Sequence, residues 1–170
     1  LAARSIRIAE YLFARGVKAL VVACNTATAA AIHAIRTQFP HQIVIGLEPG
    51  LKPAIAATRN GHIGVLATSA TLRSEKFAAL CKQLAKPDLH FHLQPCPGLA
   101  DQIEHGELQS IQTLDMVRHY LTPLISADCD SLVLGCTHYP FVADQIINLW
   151  QQYSGHTPVL IDTGEAVIRH

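Results

Sequence analysis

The stretch Leu132-Val133-Leu134-Gly135-Cys136-Thr137-His138-Tyr139-Pro140 decides the fold. Its apolar run reads as a buried strand. The glycine, the cysteine and two polar residues end that strand, and Pro140 suits the first turn of a helix. Cys136 is therefore expected at the carboxyl edge of a sheet, where open α/β folds bind their ligands. A thiol there also meets the positive end of the helix dipole, which favours thiolate.

Upstream, Ala19-Leu20-Val21-Val22-Ala23-Cys24-Asn25-Thr26 aligns without a gap on Ser131-Leu132-Val133-Leu134-Gly135-Cys136-Thr137-His138. Each segment has four apolar or small residues, then a cysteine, then two hydrogen-bonding side chains. The two cysteines lie too far apart for a local repeat and suit two related lobes. Against this stands the plain reading that buried strands look alike and cysteine is a common core residue.

Working outward, residues 2–15 carry a helical apolar stripe and 17–23 a strand. Residues 43–47, 63–67, 89–94 and 158–161 read as further strands. Helical patterns separate them, among them 107–125 and 140–153. Strands alternating with helices give an α/β protein with a mainly parallel sheet. The expected architecture is two pseudo-symmetric doubly wound lobes. Residues 1–48 and 159–170 form a first, incomplete lobe with Cys24, and residues 49–158 form a second with Cys136. The sequence opens inside a helical pattern and stops early in another, so it reads as a fragment.

Composition narrows the function. Hydrophobic residues make up 49% and charged ones 15%, and Lys plus Arg balances Asp plus Glu at 13 each. With no basic stripe, nucleic acid is not expected as a partner. No apolar run reaches the roughly 20 residues that span a bilayer, and no secretory signal is visible. Five cysteines without a disulfide spacing fit a reducing cytoplasm. No C-x-x-C pair or H-E-x-x-H helix is present, so no metal is expected. Cys81, Cys96 and Cys129 have no partner segments and read as packing residues.

Two thiols at matching strand ends would face each other across a cleft. Inverting a carbon acid needs that symmetry: a proton leaves one face of the centre and another arrives on the opposite face. The two cysteine segments resemble the signature segments of the glutamate racemases. Further matches are Gly46-Leu47-Glu48-Pro49 with Lys52-Pro53-Ala54, Gly64-Val65-Leu66-Ala67-Thr68, Cys96-Pro97-Gly98-Leu99 with Ile103-Glu104, and Asp162-Thr163-Gly164-Glu165-Ala166-Val167.

The resemblance implies a cofactor-independent interconversion of L- and D-glutamate, supplying D-glutamate for cell-wall peptidoglycan. It makes Cys24 and Cys136 the paired proton donors and acceptors. It assigns Asn25, Thr26, Thr137 and His138 to the polar groups of the amino acid. Glu104 assists on the side of Cys136 and His138, and Thr68 and Thr71 line the substrate pocket. Ala70 departs from a glycine usual in the family. A small-molecule substrate is the implied partner, with homo-oligomer formation left open. The family's Asp-Ser-Gly and Pro-Tyr-Gly segments are not in these 170 residues, so the chain alone is expected to be a poor racemase. An aspartate-specific relative and a non-catalytic fragment are the alternatives.

Overall fold

The computed structural model describes residues 1–162 and 164. Of the Asp162–Val167 motif, Thr163 and 165–167 lie outside the described residues. The strands are β1 (Ala19–Val22), β2 (Ile43–Gly46), β3 (His62–Ala67), β4 (His90–Pro95), β5 (Ser131–Leu134) and β6 (Val159–Asp162). The helices are α1 (Ala2–Phe13), α2 (Asn25–Gln38), α3 (Leu51–Ala57), α4 (Ser69–Leu72), α5 (Glu75–Leu84), α6 (Leu99–Glu104), α7 (Ile111–Ser126) and α8 (Ala143–Ser154), with a 3-10 turn at Tyr139–Val142. All ladders are parallel and form two sheets: β1-β2, and β4-β3-β5-β6.

The central strands β3 and β5 are buried on both faces, and the strand period of two sorts their side chains. Ile63, Val65, Ala67 and Val133 pack with Leu51, Ala54, Phe77 and Leu80 of α3 and α5. Leu66, Leu132 and Leu134 point the other way, into a cluster with Leu121, Leu124, Ile146 and Trp150 of α7 and α8. Gly64 lets that side close, because a Cβ there would stand 2.7 Å from Leu132 and 3.0 Å from Leu124. At the start of β5, Asp130 accepts hydrogen bonds from the Thr58 hydroxyl at 2.5 Å, the Arg59 N–H at 2.6 Å and the Asn60 N–H at 3.0 Å. These bonds fix the turn that leads into β3.

The two-stranded sheet is covered on one face only. Val44, Ala31, Ile32, Ile35 and Ala9 form its core with α1 and α2, while Val21, Ile43 and Ile45 remain exposed on the other face.

The structure corrects several expectations. Residues 159–162 do not return to the first lobe: β6 pairs with β5, Ser131 against Val159 through Leu134 against Asp162. The expected helix at 107–125 begins at Ile111, because Ser110 caps it by accepting from the Thr113 N–H at 3.2 Å. The segment after Cys136 makes a 3-10 turn before α8. Among the described residues no helix is long and apolar enough to cross a membrane.

Candidate active site

Each cysteine leaves the end of a parallel strand and enters a turn. Cys24 occupies the N-cap position of α2 and accepts the Thr28 N–H at 2.8 Å through its carbonyl. Asn25 and Thr26 lie inside the first turn with their side chains aimed across the seam between the lobes. Asn25 Nδ2 donates to the Gly135 carbonyl, next to Cys136, at 3.1 Å. The Thr26 hydroxyl lies 2.8 Å from that of Thr68 and 2.9 Å from that of Thr71, and the last two are 3.0 Å apart. Three hydroxyls thus close a triangle over the seam. Thr68 also caps α4 by accepting the Thr71 N–H at 3.2 Å.

The thiols are not equivalent. Cys24 is half-buried, and among the described residues its sulfur has no hydrogen-bond partner. Cys136 is only 7% exposed, and its Sγ lies 3.6 Å from His138 Nδ1. His138 Nε2 bonds in turn to Glu104 Oε1. A carboxylate can only accept, so Nε2 donates to Glu104, and in the neutral ring Nδ1 then turns its lone pair to the thiol.

Burial pushes the Cys136 thiol up. The backbone N–H of His138 opposes that rise, negative charge on Cys24 adds to it, and the backbone N–H of Tyr139 opposes it, for a net upward shift.

Of the other residues singled out by sequence, Thr137 is half-buried beside Cys136 and makes no side-chain hydrogen bond among the described residues. Cys96 and Cys129 are buried, and burial first of all pushes both thiols up to about 12, which suits packing. Among the described residues no three His, Cys, Asp or Glu side chains are placed to hold a metal ion.

Two residues of the site escaped the sequence reading. Thr28 donates to the Val22 carbonyl at 3.0 Å and accepts the Leu47 N–H at 3.2 Å, tying β1, α2 and β2 together beneath Cys24. Gly135 bonds its N–H to Leu66 O at 2.7 Å and leaves no room for a side chain. A Cβ there would stand 2.9 Å from both Ala67 Cβ and Leu66 O. The glycine was visible in the motif, but its contacts come from β3.

Residues 2–170 match the family model described as Asp/Glu/Hydantoin racemase. Among curated relatives, the glutamate racemase of Ectopseudomonas mendocina is 49% identical over 166 residues, covering 98% of this chain and 61% of its own length. That of Ralstonia nicotianae is 49% identical over 170 residues, covering 100% and 59%. Among solved structures, Escherichia coli glutamate racemase in complex with L-glutamate and the activator UDP-MurNAc-Ala superposes with a TM-score of 0.84. Its identity is 27%, over 99% of this chain and 62% of that one. Glutamate racemase isoform RacE1 from Bacillus anthracis gives 0.81 at 34% identity, over 96% and 60%. The chain thus spans about three fifths of the length of the relatives it matches. With a racemase model matched along nearly its whole length and paired strand-end cysteines at the seam, the chain belongs to the Asp/Glu/hydantoin racemase family.

Proposed function

We propose that this chain carries the two proton-transferring thiols of a cofactor-independent glutamate racemase, whose D-glutamate supplies bacterial peptidoglycan. The observation that carries the reading is the chain Glu104–His138–Cys136, set in one lobe, with Cys24 at the matching strand end of the other. From D-glutamate, the Cys24 thiolate removes the α-proton and the electron pair passes into the α-carboxylate as an enediolate. The Cys136 thiol then protonates the opposite face, giving L-glutamate. From L-glutamate the roles reverse, and His138, held by Glu104, takes the Cys136 proton before the thiolate acts.

The polar groups around the thiols suit an amino acid. Among the described residues, buried Asn25 Oδ1 has no hydrogen-bond partner; an orphan acceptor of this kind costs about 1–3 kcal/mol unless a donor such as an ammonium reaches it. The hydroxyls of Thr26, Thr68 and Thr71 bond to one another, and each can turn its proton towards a carboxylate instead. Thr137 and His138 border the same site. Because Cys24 lacks a sulfur partner like His138 among the described residues, the isolated chain should turn over slowly.

Proton NMR in deuterated water tests this reading: L- and D-glutamate should lose their α-proton signal and circular dichroism should decay. Exchange of aspartate but not glutamate would reassign the substrate. D-Glutamate binding with no exchange of either amino acid would reduce the chain to a binding fragment.

A further inference from the structure

Glu104 ends α6, a helix of only six residues. So short a helix has little stability of its own and takes its orientation from tertiary contacts. Three of its side chains are buried: Leu99, Gln102 and Ile103. The two apolar ones hold α6 against the core without directional bonds.

Gln102 is different. It is 8% exposed, and its Nε2 donates to Thr113 Oγ1 at 3.1 Å, with Ser110 Oγ at 3.5 Å. The Thr113 hydroxyl spends its own proton on the Glu107 carbonyl at 2.7 Å. Its lone pairs are left for Gln102 and for the Ser110 hydroxyl at 3.0 Å. Ser110 in turn caps α7. Gln102 Nε2 and the Ser110 and Thr113 hydroxyls thus each have partners in a part-buried network, which makes it directional.

We propose that Gln102 is a positioning residue. It sets the roll of α6, and through it the bond between Glu104 and His138 that tunes Cys136. This inference rests on reading Glu104–His138–Cys136 as an acid–base chain. The lever is geometric: a group about 6 Å from a helix axis moves roughly 1.5 Å for a roll of ~15°, enough to break a hydrogen bond. Neither Gln102 nor Thr113 touches the thiol, so both act only through α6.

The test is nitrogen NMR of the chain labelled at histidine, where the ring nitrogens of His138 report tautomer and hydrogen bonding without any turnover. Gln102→Leu should move them towards the values of Glu104→Gln and add nothing in the Glu104→Gln background. Thr113→Ser, which keeps the hydroxyl, should leave them in place. In glutamate exchange, Gln102→Leu should lower kcat about tenfold at unchanged KM. A folded Gln102→Leu chain with wild-type His138 resonances overturns the proposal. If Gln102→Leu does not fold, Thr113→Val is read in the same way. Absence of exchange in the unsubstituted chain would overturn the racemase reading, while the His138 spectra still decide the positioning role.

Discussion

The two lobes present the same strand-end cysteine from very different surroundings. In the second lobe, β5 is central and buried along its whole length, with helices on both faces of the sheet. In the first, β1 has one strand neighbour among the described residues, and Val21, Ile43 and Ile45 are exposed. The thiols follow their sheets. Cys136 is buried and backed by His138 and Glu104, whereas Cys24 is half-buried and unpartnered among the described residues. A strand end supplies position. Acid–base character comes from what is packed around it.

The largest expected effect bears on the equivalence of the thiols. Cys136→Ser and Cys24→Ser should each lower glutamate α-proton exchange by about 10³-fold or more, measured by proton NMR. Normal exchange by a Cys136→Ser chain would break the two-thiol mechanism. The lobes themselves can be compared by chemical denaturation. Leu132→Ala opens a cavity in the doubly covered sheet and should cost about 3 kcal/mol. A loss below about 1 kcal/mol would mean that the second lobe is less tightly packed than its burial indicates.

Glu104→Gln should slow exchange roughly 10- to 100-fold by releasing His138. The pH profile sharpens the same point. Burial leaves the Cys136 thiol above its ordinary range, so its ionised fraction grows only as pH rises past that range. The proposed mechanism uses the Cys136 thiolate in the L-glutamate direction, which should therefore keep accelerating where an ordinary thiol is already ionised. A plateau there would contradict the buried environment.

A smaller effect attaches to Asp130. Burial alone would raise its pKa, but hydrogen bonds from Thr58, Arg59 and Asn60 outweigh that and lower it. Its folded value lies below its unfolded one. The stabilisation is therefore present above the unfolded carboxylate range, near pH 4, and is lost as pH falls through the folded value. Asp130→Asn should cost about 1–2 kcal/mol at neutral pH and flatten the acid limb of a melting-temperature profile. The smallest effect is expected on the open face: Ile43→Thr should change stability by no more than about 0.5 kcal/mol while reducing self-association seen by light scattering.

Apolar runs closed by Gly-Cys or Ala-Cys revealed β1 and β5, because strand period, turn chemistry and helix starts are local properties. The matching strand-end positions of Cys24 and Cys136 were legible for a similar reason: two like segments fold alike. Sequence by itself therefore determined an α/β protein with strand-end thiols, and the motif match brought Glu104, Thr68 and Thr71 into view. Only the tertiary structure decided which sheet receives β6, since any parallel edge accepts a short apolar strand. It also decided that Asn25 and Thr26 reach across the seam to Gly135, Thr68 and Thr71 instead of capping their own helix. The physical reason is range: caps and turns depend on neighbours in sequence, whereas side-chain partners and desolvation depend on how distant segments pack. Burial, more than the strand end alone, sets the character of Cys136.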